Sequence, residues 1–294
     1  MTAPKHTVFS AGRISAIASN TLLELVRLKV FYFLLIFALM VIGSSAFMIQ
    51  FTFQEQFQVL KDVSLGAMSI FSWLLSVLAT AMLLPKDIED RTLYTILAKP
   101  VPRLEYLIGK LFGVFLLLLV TVLVMSGLFV AVLYFREQSA ITVALAGGNG
   151  ASPQVQSAIT EIRANTFTAS LLPGIFIIYL KAALFATLTL FISTYATSSI
   201  FTIMVSFVVY FIGHIQSVAR EYWLASGMAS SLTKIFLGFV ALLFPDMQLF
   251  NLVDDIVAGN AIHLSMFLQT AGLGLTYIAV YFLLAYFVFA KKEL

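Results

Sequence analysis

Residues 30–47 read VFYFLLIFALMVIGSSAF, a stretch without a single charge. Its length is close to the roughly 20 apolar residues that a helix needs to cross the core of a bilayer. Five comparable runs follow, at 64–84, 111–134, 170–194, 198–215 and 265–290. Lipid offers the backbone no hydrogen-bond partners, so a segment that crosses it must satisfy its own N–H and C=O groups, as a helix does. The pattern therefore predicts an all-α polytopic membrane protein with six transmembrane helices, forming one transmembrane domain over 1–294.

The composition agrees. Hydrophobic residues make up 61% of the 294 positions and charged residues 11%, whereas a soluble domain carries nearer about 25% charged. The 28 Phe and 11 Tyr suit lipid contact and the headgroup belt. Membrane lipid is thus the expected partner of the outer surface, and nucleic acid is not expected of a chain whose net charge is only +3. The absence of Cys excludes disulfides and thiolate metal sites. Residues 1–10 lack the short apolar core and small-residue cleavage site of a secretory signal, so the first span is expected to insert uncleaved.

Outside the spans, residues 11–29 are amphipathic at helical spacing. Ile14, Ile17, Leu22, Leu25 and Val26 share one face, opposite Arg13, Asn20, Glu24 and Arg27. The segment is too polar to span and suits a helix lying in the interface; the plainer alternative is a solvated N-terminal helix. Residues 48–63 read as a connection rich in Gln and Phe, and 135–167 as a loop with a flexible tip at Gly147-Gly148-Asn149-Gly150. The apolar run 235–244 is too short to cross and reads as a re-entrant or interfacial hairpin before the last span.

Basic residues set the orientation. With a cytoplasmic N-terminus, eleven of the 17 basic residues fall inside, at Lys5, Arg13, Arg27, Lys29, Lys86, Arg91, Lys99, Arg103, Lys110, Lys291 and Lys292. Five fall outside, at Lys61, Arg136, Arg163, Arg220 and Lys234. This bias predicts an inner-membrane protein with both termini in the cytoplasm.

The most charged segment, 85–110, reads PKDIEDRTLYTILAKPVPRLEYLIGK. It is too charged for lipid, yet Ile88, Leu93, Ile96 and Leu97 are too apolar for a plain solvated loop. Residues 87–98 suit a short helix with acids in its first turn, stopped by Pro100 and Pro102. Such a helix is fit to dock on a soluble partner; the alternative is a charged loop that only sets topology.

This block resembles the type-2 ATP-binding-cassette export permeases. The matching residues are Glu89, Arg91, Thr92, Tyr94, Thr95, Leu97, Lys99, Pro100, Val101, Arg103, Tyr106, Leu107, Gly109 and Lys110. Weaker likenesses extend to Leu23-Glu24-Leu25-Val26-Arg27, to Phe244-Pro245-Asp246 with Leu249-Phe250-Asn251-Leu252, and to the basic tail 291–294. Where many members have Gly before the Thr of the block, this chain has Arg91, so no subfamily follows. The resemblance implies a permease that pairs with a second copy or a paralogue and recruits a separate cytoplasmic ATPase. Its coupling element would comprise Asp87, Ile88, Glu89, Arg91, Thr92, Leu93, Tyr94 and Leu97, and residues 11–29 would be the gate helix.

No catalytic, cofactor or metal site is expected. There is no Gly-x-x-x-x-Gly-Lys-Ser/Thr phosphate loop, so ATP would be used only by the partner subunit. His6, His214 and His263 are dispersed. Asp254 and Asp255, adjacent on a helix, would point about 100° apart and read as an exposed helix start. They would be the site of the competing function, an integral membrane enzyme acting on lipid. Gly109 and Gly113 form a Gly-x-x-x-Gly pair that permits close helix packing but is common by chance. Lys181 stands out inside the fourth span. A charge there costs roughly 3 kcal/mol, so either it faces a cavity or partner, or Pro173 breaks the helix and Lys181 snorkels outward.

Overall fold

The computed structural model describes residues 10–47, 53–89, 101–146, 153–196, 198–225, 232, 235, 244–260 and 262–291. In chain order the helices are α1 (Ala11–Val26), α2 (Lys29–Ser44), α3 (Phe53–Ala81), α4 (Leu83–Glu89), α5 (Arg103–Ala146), α6 (Pro153–Thr166), α7 (Leu171–Tyr195), α8 (Ser199–Ala225), α9 (Val253–Val257) and α10 (Leu264–Lys291). Two 3-10 turns, Ser45–Phe47 and Met247–Phe250, complete the described elements. No strand occurs among the described residues. Among the described residues, six helical stretches are long and apolar enough to cross a membrane, as the hydrophobic runs predict.

Several helices outrun the expected spans. Residues 53–63 belong to α3, not to a connection, because the helix runs without a break from Phe53 to Ala81. Pro85 does interrupt it. A residue there would bond the carbonyl of Ala81, which Pro cannot do, and the helix restarts as α4 after Met82. Residues 135–146 likewise prolong α5 instead of opening a loop. At 44 residues this helix is about 66 Å long at about 1.5 Å per residue, twice the roughly 30 Å of a hydrocarbon core. The Gly-rich tip 147–150 and most of the short run 235–244 lie outside the described residues.

α7 is the axis of the bundle. It packs on α3, α5, α8 and α10, and 78% of the apolar window ending in it is buried, against 22% for α10. Trp73 of α3, Phe185 of α7 and Tyr210 of α8 fill the centre, with Trp73 stacked on Tyr210 at 3.8 Å between ring centroids. At the end of the bundle away from α1, the buried Lys61 donates to the Asn165 carbonyl at 2.6 Å. There the turn after α9 is pinned to α7 by Ser170, which donates to Asn260 O and accepts from Ile262 N–H. Gly259 reverses the chain at φ 78°, a conformation that disfavours any residue with a Cβ.

The amphipathic N-terminal helix is seated on the start of α5. Ala18, Thr21 and Leu25 are buried there, and Asn20 and Arg27 face outward. Two glycines allow the approach. A Cβ on Gly109 would stand 2.7 Å from the Ile17 side chain. One on Gly113 would stand 2.7 Å from Thr21 Cβ and 2.8 Å from the Ala18 carbonyl. The Gly-x-x-x-Gly pair is therefore a packing surface and not a chance pattern. Gly127, on the same helix, meets nothing within 4 Å. Gly113→Ala should lower the stability of the purified protein by about 1–3 kcal/mol, since backbone cannot yield as a side chain can. Gly127→Ala should raise it by up to about 1 kcal/mol through helix propensity alone. Thermal unfolding of the two variants beside the wild type measures the contrast; equal shifts would contradict the packing.

Candidate functional site

Charges that the sequence spreads over 10–110 converge at the α1 end of the bundle. Asp87, in the last turn of α4, is buried, and its carboxylate lies 2.7 Å from the Lys110 ammonium. The same carboxylate accepts a short hydrogen bond from the Tyr106 hydroxyl. Lys110 and Tyr106 sit one turn apart on α5, which brings both to one face. Glu24 of α1 completes the group, at 2.8 Å from Lys86 and 3.7 Å from Lys110. Three helices that are distant in sequence are thus joined by alternating charges.

A second clamp lies beside the first. Glu105, 1% exposed, receives both Nε and Nη2 of Arg13 at 2.6 and 2.7 Å. It also accepts the backbone N–H of Ser10 at 2.9 Å. Ser10 is the N-cap of α1, and its own side chain makes no capping bond. A carboxylate from α5 therefore supplies the negative charge that a helix N-terminus favours. On the far side of α5, Arg103 donates to the carbonyls of Phe289 and Ala290 at 3.1 and 2.7 Å. These belong to the last turn of α10, where carbonyls lack helical partners. Tyr106 stacks on Phe289 at the same junction.

Between α1 and these charges an open cleft of about 740 Å³ is lined by Asn20, Glu24, Arg27, Lys86, Asp87 and Lys110, with apolar residues of α1. Burial pushes the Glu24 carboxyl up, but the hydrogen bond from Lys86 and the charges of Lys110 and Lys86 outweigh it, so Glu24 titrates below the usual carboxylate range.

The structure brings only part of the expected coupling set to this site. Asp87 is at its centre. Ile88 and Glu89 close α4, and Arg91, Thr92, Leu93, Tyr94 and Leu97 lie outside the described residues. Lys181 is elsewhere, at 5% exposure in the interior of an unbroken α7. Pro173 falls in the first turn of that helix, where a missing N–H is harmless, so Lys181 does not snorkel outward. Asp254 and Asp255 open α9. Asn251 donates to Asp254 at 3.4 Å and Asn260 to Asp255 at 3.5 Å, local turn contacts that do not form a carboxylate pair.

Sequence reasoning passed over Glu105 and gave Glu24 a polar face and a weak family likeness, but no partner. The readable signal was placement: Glu105 opens α5 four residues before the first packing glycine, where its carboxylate meets the start of α1. No family model matches the chain, and no curated protein matches its sequence significantly.

Two outcomes follow for this cluster. Asp87→Asn leaves the buried Lys110 without its nearest counter-charge and should cost about 3 kcal/mol of stability, read from unfolding midpoints. Glu24, whose carboxyl is held low, adds stability that is present above the ordinary Glu range and lost as pH falls through its depressed value. The wild type should exceed Glu24→Gln by no more than about 1 kcal/mol near neutrality, because the pair is partly exposed. That gap should close below about pH 4; a gap that persists in acid would contradict the pairing.

Proposed function

We propose that this chain is the membrane-spanning permease subunit of an ATP-driven exporter, coupled to a separate cytoplasmic ATPase. In this reading the α1 end of the bundle faces the cytoplasm, and 90–100 is the segment on which the ATPase acts. One observation carries the reading: both ends of that segment are fastened to the spans. Before it, Asp87 is paired to Lys110 and Tyr106 of α5. After it, Arg103 grips the last carbonyls of α10. A displacement of the segment would be passed to α3 through α4, to α5 and α1 through the Asp87–Lys110–Glu24 charges, and to α10 through Arg103. A loop that served only to set topology has no need of such anchors.

A second chain fits the same reading. One six-helix bundle is half of a pathway in the family that the 85–110 block resembles. The apolar residues Phe33, Ile36 and Met40 of α2 and Ile200, Met204 and Val208 of α8 are exposed, available to lipid or to a second permease copy or paralogue.

The test is co-purification of a phosphate-loop ATPase with the tagged chain from native membranes. Leu93→Glu with Tyr94→Glu changes only the central segment and should weaken ATPase binding by about 1–3 kcal/mol, the scale of losing an interface anchor. Transport should fall with it, while insertion is unchanged. Arg136→Ala is the matched control; Arg136 donates to Gln56 at the opposite end of the bundle. Equal recovery of ATPase with the wild type and both variants would reject the coupling assignment.

A further inference from the structure

Helices α3, α7 and α8 meet along a line inside the bundle, and that line is polar. Its middle is the Trp73–Phe185–Tyr210 cluster. Lys61 reaches Asn165 near the starts of α3 and α7, so those helices run the same way, and α8 returns beside them after a short turn. Steps of one turn from the cluster toward the α1 end therefore pass Ser76, Thr189 and Ser206, then Thr80, Ser193 and Thr202. All six are fully buried. One turn in the other direction stand Lys181 and His214, and Lys181 lies within electrostatic range of the His214 imidazole.

The hydrogen bonds along this seam are one-sided. Ser76, Thr202 and Ser206 bond back to carbonyls of their own helices. Ser72 Oγ, Trp73 Nε1, Thr80 Oγ1, Thr189 Oγ1 and Ser193 Oγ are buried with no hydrogen-bond partner among the described residues. A hydroxyl can turn to accept, but an indole N–H and an ammonium can only donate. Trp73 and Lys181 are thus two donor-only groups on neighbouring turns of one seam; no acceptor reaches the indole N–H among the described residues, and Lys181 is buried beside it in sequence register. Residues 69–80, 181–193 and 202–214 contain no Asp or Glu. Asp246 acts on His214 and on Tyr277. A buried donor left unpaired costs about 1–3 kcal/mol, and a charged one costs more. A cation would be repelled by Lys181. A negatively charged acceptor would satisfy an unpaired donor of this kind.

We propose that the α3–α7–α8 seam is a binding site for an anionic group, with the Lys181 ammonium and the Trp73 indole N–H as its principal donors and the seam hydroxyls as neutral ones. The proposal stands on the seam alone and does not need the permease reading. Two sources share this chemistry, a small inorganic anion and the phosphate of an anionic lipid.

The chain has 2 Trp, so Trp223→Phe leaves Trp73 as the single indole of the full-length protein. In nanodiscs of zwitterionic lipid, iodide should quench Trp73 along a saturating curve, and neutral acrylamide should quench it weakly. Lys181→Met should raise the iodide concentration for half-quenching by about tenfold or more, the loss of a charge-assisted hydrogen bond. Lys181→Arg, which keeps the charge, should retain the curve and guards against a folding defect; helicity by circular dichroism checks both. Displacement of iodide by inorganic phosphate assigns the site to a free anion, and displacement by added phosphatidylglycerol assigns it to a lipid headgroup. Absent quenching, or a linear response that is equal in Lys181→Met and Lys181→Arg, would overturn the proposal.

Discussion

Lipid supplies no hydrogen bonds, and most of this structure follows from that constraint. The backbone answers it by forming helices, six of them long and apolar enough to cross. The side chains answer it by sorting. Charges gather at the ends of the bundle, where Asp87, Lys110, Glu24 and Lys86 compensate one another. Apolar residues turn outward on α2, α8 and α10. Many of the polar groups that remain inside are hydroxyls bonded to their own helices, and others lie along the α3–α7–α8 seam.

The two ends of the bundle are built differently. Away from α1, the described contacts are hydrogen bonds to neutral acceptors: Lys61 on a carbonyl, Ser170 on a turn, Arg136 on Gln56. At the α1 end, ion pairs and a carbonyl-capping arginine join α1, α4, α5 and α10. Breaking one partner of a buried pair is costly, so these helices are expected to move as a unit. Gly109 and Gly113 reinforce the unit by letting α1 lie against the α5 backbone. The 90–100 segment departs from this unit and returns to it, which is the physical basis for reading it as a lever.

The number of spans was legible because uninterrupted apolar runs have one solution in lipid. Helix ends were less legible. Hydropathy falls where α5 leaves the hydrocarbon region, but residues 135–146 still favour a helix, and only the Gly-rich tip interrupts that preference. The 53–63 stretch was misread as a connection for the same reason. Lys181 was recognisable as an anomaly from its position in an apolar run, whereas its burial depends on which face of α7 meets α3 and α8. The Arg13–Glu105 clamp joins residues 92 apart in the chain. No local pattern announces such a pair; it exists because two glycines bring α1 onto α5.

In the proposed arrangement the charge-clamped α1 end faces the cytoplasm, where an ATPase could reach 90–100. The Cys-free chain allows a direct measurement: single cysteines at Thr2, Gly150 and Leu294, labelled in intact cells with a membrane-impermeant maleimide. With the α1 end inside, Gly150→Cys should be labelled, and Thr2→Cys and Leu294→Cys should be labelled only after the cells are opened. Labelling of Thr2→Cys or Leu294→Cys in intact cells would place that terminus outside and contradict the claim.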